Sequence, residues 1–202
     1  QVLPYLKILS NHYNIYIHSF EKPERLLLIE NIHEEIKGFN ISWTYSVYTK
    51  NPPVISKLID LIKFKYRTNL IVKEKNISII HCRGHYFTSL IGLRLKKRIN
   101  AKYIFDMRGF WADERIDGQI WNLKNPLHYL LFQYYKKKEK EFILNADSLV
   151  VLTKAAKKEI NSWNIINKDL IDVIPCCTDS DLFRIENIHP ERKILEIDAN
   201  KF

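Results

Sequence analysis

The strongest constraint on the fold is a series of short, uninterrupted apolar segments that alternate with segments of helical periodicity. Residues 78–82, 103–106, 148–152 and 171–174 have the composition of strands. Between them, apolar residues recur every three or four positions, which is typical of helices. Continuous apolar strands are typical of parallel sheets that are covered on both faces. The alternation therefore predicts an α/β fold, a Rossmann-like open and mostly parallel sheet with helices on both faces.

The first half of the chain continues the alternation with less regular strands. Its patterns predict helices over 2–11, 23–38 and 54–75 and strands over 12–20 and 39–48. In the helix over 54–75, the apolar residues at helical spacing are Ile55, Leu58, Ile62, Tyr66 and Leu70. Residues 110–125 have no clear period and predict a long loop. Further helices are predicted over 86–99, 127–144 and 154–163, with Thr153 as the N-cap of the last.

Length and composition describe one globular domain in a reducing compartment. The 202 residues are 46% hydrophobic and 27% charged, close to the average of globular proteins. The longest apolar runs fall far short of the roughly 18 residues that a membrane-spanning helix needs. The cysteines at 82, 176 and 177 are too few for a disulfide framework and lack the spacing of a zinc site. We therefore expect a cytoplasmic protein.

The charge of the chain is strongly basic, and two interpretations of it stay open. Thirty-two basic and 23 acidic residues give a formal net charge of +9. This charge would attract phosphates of nucleic acid, nucleotide sugars or lipid headgroups, or it would only solvate the surface. The run Lys136-Lys137-Lys138 has the same two interpretations. The chain contains no dinucleotide fingerprint, Walker loop, nucleophile elbow or nucleic-acid recognition signature.

Candidate site residues follow the predicted strands directly. In open parallel sheets, ligands bind beyond the carboxyl ends of the strands. At these ends the sequence places a set of basic, acidic, small and aromatic residues, namely His81, Arg83, His85, Asp106, Arg108, Gly109, Trp111 and Glu114. A sugar phosphate needs this mixture, because polar groups bind hydroxyls, aromatic faces stack on the ring and arginine pairs with phosphate.

Each candidate also has a purely structural interpretation. His81 can be a core histidine, Asp106 and Arg108 can pair with each other, and Phe110 and Trp111 can anchor their segment in the core. His81 and His85 are four residues apart, but a strand end and a glycine separate them, so their side chains need not share a face. We therefore predict no metal site.

Five segments of the chain, in order and at the expected spacing, resemble the N-terminal domain of family-4 glycosyltransferases, which have the GT-B fold. Residues 106–114 match the pattern D-x-R-G-x-W-x-x-E of one subgroup. The other segments are 1–6, 79–83, 141–153 and 174–183. The family opens with a strand and a Gly-rich loop before its first helix, so we expect this first strand to be missing from the 202 residues.

The resemblance implies transfer of a sugar from a nucleotide-diphosphate sugar to a glycan or lipid-linked acceptor, with retention at the anomeric carbon. Residues 1–185 would form the acceptor-side domain, and 186–202 would lead into a C-terminal domain that binds the donor nucleotide. Without that domain we expect the fragment to be inactive. No cofactor and no dedicated metal are implied. The alternatives are a non-catalytic Rossmann-like binding module and a GT-B relative such as a sugar epimerase.

The resemblance also suggests where the candidate residues act. Asp106, Arg108 and Gly109 would form the floor of the crevice, and His81, Arg83 and His85 its opposing wall, with Trp111 and Glu114 as further substrate-binding residues. A lipid-linked acceptor and the charge of +9 together imply peripheral contact with an anionic membrane at its inner face. Nucleic acid is not an expected partner.

Overall fold

The structure is a computed structural model that describes residues 2–49, 52–84 and 86–176, with the side chains of 53–55 left out. Residues up to Tyr45 belong to one compact unit, and Ser46–Pro175 form a second. Strands and helices alternate through both units, and the larger sheet is parallel. The predicted α/β, Rossmann-like fold class is therefore confirmed.

The first unit contains a two-stranded sheet formed by the first two strands. Its elements are α1 (Leu3–Leu9), β1 (Ile15–Glu21), a 3₁₀ turn (Pro23–Leu28), α2 (Ile29–Ile36) and β2 (Ile41–Val47), which runs into the second unit. Gly38 follows α2 with a φ of +84°, a left-handed conformation that favours glycine after a helix. The predicted end of this helix at Gly38 is thereby explained.

The second unit contains the longer helices and the larger sheet. Its elements are α3 (Pro53–Glu74), β3 (Ile79–Arg83), α4 (Tyr86–Ile99), β4 (Lys102–Asp106), α5 (Trp111–Asp117), α6 (Pro126–Leu144), β5 (Ser148–Val151), α7 (Lys154–Ser162), a 3₁₀ turn (Lys168–Leu170) and β6 (Ile171–Val173). The Thr153 hydroxyl accepts a hydrogen bond from the Ala156 N–H at 3.0 Å, which confirms the predicted N-cap of α7.

The four strands of the larger sheet lie side by side in chain order, and each neighbouring pair is parallel. The register places Arg83 opposite Asp106. Tyr103 and Phe105 of β4 stack with their ring centroids 6.4 Å apart, and Phe105 contacts Phe142 of α6. These buried side chains form the centre of the core, and the carboxyl ends of the strands lie together at one edge of the sheet.

Two sequence-based expectations are wrong. Residues 110–125 are not one long loop, because α5 forms over Trp111–Asp117. The helix has only seven residues, and it packs through aromatic rings such as Trp111 against Tyr135 of α6. Its sequence therefore shows little helical periodicity. Strand β3 is not buried on both faces, since Ile79 is 47% exposed. Among the described residues, β3 pairs with a strand on one side only, which is β4.

Helix α4 approaches β3 closely at Gly92. A Cβ atom at this position would overlap the Sγ atom of Cys82 and would lie 3.1 Å from Cε2 of Tyr103. Gly92, Cys82 and Tyr103 are all buried. The absence of a side chain at Gly92 therefore determines how closely the helix packs on the sheet.

This packing predicts whether Gly92→Ala raises or lowers the free energy of unfolding. Helix propensity alone predicts that Gly92→Ala stabilises the protein by about 1 kcal/mol. Overpacking against Cys82 predicts that the free energy of unfolding falls by about 1–3 kcal/mol. We expect this destabilisation to exceed the gain from helix propensity. Urea unfolding measures the result. A double variant with Cys82→Ala should lose less than the sum of the two single variants, whereas additive losses would contradict the close approach.

Candidate functional site

Four polar side chains meet where β3 and β4 end. His81 and Arg83 are two residues apart on β3, so they project from the same face of the strand. Asp106 lies opposite Arg83 in the parallel register, and Arg108 follows two residues later. Alternation along two paired strands therefore brings together four of the residues predicted from the sequence.

The carboxylate of Asp106 is the centre of this cluster. Arg108 Nη1 lies 3.3 Å from Asp106 Oδ1 and donates a hydrogen bond to it. The same carboxylate has His81 Nε2 at 3.5 Å and Arg83 Nε at 3.8 Å from its Oδ2 atom. Asp106 is only 3% exposed, while its three partners are partly accessible. One carboxylate therefore faces three side chains that carry or can carry positive charge.

The four side chains of the cluster are two arginines, one histidine and one aspartate, so cationic groups outnumber the carboxylate among them. Burial tends to raise the pKa of Asp106, but hydrogen bonds from His81 and Arg108 and the charge of Arg108 lower it below 3.8. Asp106 is thus ionised at neutral pH.

A glycine holds Arg108 in place. The Gly84 N–H donates to the Asp106 carbonyl at 2.8 Å, and Gly84 has a φ of +58°. A Cβ atom there would lie 2.6 Å from Cγ of Arg108, so the arginine stem packs directly on the glycine backbone. Gly84 was not among the predicted site residues, although its position directly after a buried strand was the available signal.

Gly109 has a similar role toward Glu114. The position that a Gly109 Cβ would take is filled by Oε1 of Glu114, whose side chain reaches back from α5. The close approach expected at Gly109 is therefore made by a side chain of this chain. Glu114 itself is exposed, so its carboxylate remains available to solvent.

A small cavity adjoins the cluster. Its volume is about 40 Å³, and its lining includes Gly84, Arg108, Gly109, Trp111 and Glu139. Pockets that enclose a small-molecule ligand are typically some 300–1,000 Å³. The cavity can therefore accept a group about the size of a water molecule or hydroxyl, while the rest of a ligand would lie outside it.

Trp111 is anchored by other aromatic side chains. Its ring centroid lies 4.7 Å from that of Tyr135 and 5.6 Å from that of Trp121, and the Arg115 guanidinium is 4.6 Å from the ring. Phe110 packs on Trp163, the residue that directly follows α7. These contacts support the structural interpretation of both residues, although Trp111 also reaches the cavity wall.

Two further points concern His85 and groups of side chains that could bind a metal ion. His85 lies outside the described residues. Within the described ranges, no group of three or more His, Cys, Asp or Glu side chains could hold a metal ion.

Sequence reasoning missed an ion-pair group beside the cavity. Lys136 Nζ lies 2.7 Å from Asp113 Oδ2 and 2.7 Å from Glu139 Oε1. Burial raises the pKa of Glu139, and the hydrogen bond and charge of Lys136 reduce this shift only in part. Lys136 is therefore not on a solvated face, whereas Lys137 is exposed. The available signal was the spacing of three residues between Lys136 and Glu139 on one helix.

The cluster predicts that the difference in stability between wild type and Asp106→Asn depends on pH. Asp106→Asn keeps the shape but removes the negative charge, so we expect a loss of about 1–3 kcal/mol in the free energy of unfolding at pH 7. Since the pKa of Asp106 is lowered in the folded state, its contribution is present above 3.8 and is lost as the pH falls below that value. The difference between wild type and variant should begin to narrow at about pH 4 and continue to narrow as the pH falls further.

Urea unfolding at several pH values measures this difference. Asp172→Asn is the matched control, because Asp172 is an exposed residue of the same sheet and should change stability by at most about 0.5 kcal/mol. A difference for Asp106→Asn that stays constant down to pH 3 would contradict the role given to its charge.

Comparison with known proteins identifies the family. A search of curated proteins returned no match for this chain. The family model described as Glycosyltransferase Family 4 matches residues 13–182, a span that includes both sheets and the cluster around Asp106. Because this match covers most of the 202 residues, the chain belongs to glycosyltransferase family 4.

Proposed function

We propose that this chain is the acceptor-side domain of an enzyme that transfers a sugar from a nucleotide-diphosphate sugar to a glycan or lipid-linked acceptor, with retention at the anomeric carbon. Membership of the family supports the transferase class. The observation that carries the proposal is the positively charged cluster of His81, Arg83 and Arg108 around Asp106. A further domain would hold the donor nucleotide, and no cofactor or dedicated metal is part of the proposal.

The charge of the cluster suits the chemistry of this transfer. Negative charge develops on the departing phosphate as the glycosidic bond of the donor breaks. Preorganised cations lower the barrier because they meet that charge without having to reorganise. Arg83 and Arg108 are held by Asp106 and Gly84, and their side chains remain 28% and 24% exposed. They could therefore contact an anionic group without losing their positions.

We assign the imidazole of His81 to binding of the acceptor. Its side chain is 40% exposed, and Nε2 faces Asp106 Oδ2. We propose that His81 positions an acceptor hydroxyl while Asp106 fixes the orientation of the ring. The nearby cavity would receive one small polar group of the substrate.

Removing Arg108 tests this assignment in the intact protein. With a panel of nucleotide-diphosphate sugars and glycan acceptors, we expect Arg108→Ala to lower kcat/KM by about 100-fold or more. Arg108→Lys should give an intermediate value, because it keeps the charge but loses the planar donor fork. The measurement is release of nucleotide diphosphate together with the glycosylated product, whose anomeric configuration is read by NMR.

The control variant is Arg25→Ala, which removes an exposed arginine from the 3₁₀ turn of the first unit and should leave the kinetics unchanged. Unchanged transfer by a folded Arg108→Ala protein would overturn the site assignment. Conversion of the donor sugar without transfer would identify an epimerase. Binding without any turnover would identify a binding module.

A further inference from the structure

The small cavity beside the Asp106 cluster has two buried polar side chains in its lining. It lies where β3 and β4 end, and residues of α4, α5 and α6 complete its wall. Ser89 of α4 is 0% exposed, and Glu139 of α6 is 8% exposed. Buried polar groups in folded proteins have hydrogen-bond partners. The partners that these two side chains lack or can still accept therefore indicate what the cavity binds.

The hydroxyl of Ser89 has hydrogen-bonding capacity that the folded chain leaves unused. Among the described residues, its Oγ atom has no hydrogen-bond partner. The buried hydroxyl of Tyr103 does not fill this role, because it also lacks a hydrogen bond within the described part of the chain. A hydroxyl that is removed from water without a partner costs free energy. A polar group bound in the cavity would supply the missing partner of Ser89.

The carboxylate of Glu139 can accept a further hydrogen bond. Lys136 Nζ lies 2.7 Å from its Oε1 atom, and the same ammonium group lies 2.7 Å from Asp113 Oδ2. The two oxygens of a carboxylate accept up to about four hydrogen bonds, so one lysine does not saturate Glu139. A charged acceptor in an apolar wall also binds a donor more strongly than a neutral one. Glu139 is therefore suited to a hydroxyl in the cavity.

Aromatic rings form much of the remaining wall. The ring centroid of Tyr135 lies 4.8 Å from that of Tyr86 and 4.7 Å from that of Trp111. All three residues line the cavity, and all three are partly exposed. Sites for small polar molecules combine such an apolar and aromatic wall with a few polar groups that fix the orientation. A sugar matches this combination, because its ring has apolar faces and its edge carries hydroxyls.

We propose that the cavity binds one hydroxyl of the acceptor glycan. This hydroxyl donates to the Glu139 carboxylate and accepts from the Ser89 hydroxyl, while the sugar ring packs against Trp111 and Tyr135. The inference rests on the proposed function, and it makes Glu139 a residue that selects acceptors by one hydroxyl. Any lipid attached to the glycan would lie outside a cavity of about 40 Å³. Among the described residues, no helix is long and apolar enough to cross a membrane.

Binding of methyl glycosides to the intact protein tests the pocket without requiring sugar transfer. The probes are the methyl pyranosides of glucose, galactose, mannose and N-acetylglucosamine, together with the monodeoxy analogues of the one that binds most tightly. Ligand-observed NMR titration measures their dissociation constants. We expect one deoxy analogue to bind at least about tenfold more weakly than its parent, because it leaves buried polar groups without a partner.

Substitution of Glu139 locates the effect. Glu139→Gln should bind the parent glycoside at least about tenfold more weakly and should no longer distinguish it from that deoxy analogue. Asp113→Asn is the matched control, because it also removes a carboxylate 2.7 Å from Lys136 but lies outside the described lining of the cavity. It should bind as wild type. Ser89→Ala should weaken binding without lowering stability, since it removes a hydroxyl that has no partner among the described residues.

Three results would overturn the proposal. One is a folded wild-type protein that binds none of the glycosides. Another is a Glu139→Gln protein that loses affinity equally for the parent and every deoxy analogue, because Glu139 would then act only on the structure. The third is an equal loss in Asp113→Asn, which would assign the effect to Lys136. Thermal unfolding verifies that each variant is folded.

The same measurements separate the pocket from the proposed function. The expected binding pattern in a protein that transfers no sugar would support the pocket and overturn the transferase proposal. Sugar transfer with glycoside binding that is independent of Glu139 would overturn the pocket and leave the transferase proposal in place.

Discussion

The parallel register between β3 and β4 is the constraint on which both the core and the candidate site depend. Side chains alternate along a strand, so the pairing that sets Arg83 beside Asp106 also directs Cys82 and Phe105 into the core. A shift by one residue would exchange the two faces and place charged groups among aromatic rings. Because Gly92 has no side chain, α4 packs closely on the core face of β3 and β4. This packing stabilises the pairing of the two strands.

The sequence predicted the strand-end cluster because the information is local. His81 and Arg83 are separated by one residue, as are positions 106 and 108, and parallel strands bring their carboxyl ends to one edge. The group of Lys136, Asp113 and Glu139 could not be predicted in the same way. It depends on α5 packing against α6, and the periodicity of α6 does not distinguish the partly buried Lys136 from its neighbours. The exposure of β3 likewise depends on the order of strands, which local patterns do not encode.

The cluster around Asp106 places one carboxylate among three side chains that carry or can carry positive charge. An anion bound at the strand ends would reduce the repulsion among these groups and stabilise the folded state by linkage.

The contact between α4 and β3 also has a chemical consequence. The Cys82 thiol is enclosed there and donates to the Thr88 carbonyl at 3.3 Å. Burial raises its pKa to about 12. At neutral pH the native thiol is therefore protonated, so alkylating reagents and oxidants meet very little thiolate. Local opening of the helix would restore ordinary reactivity. Cys82 is therefore a natural chemical reporter of the rate at which α4 separates from the sheet.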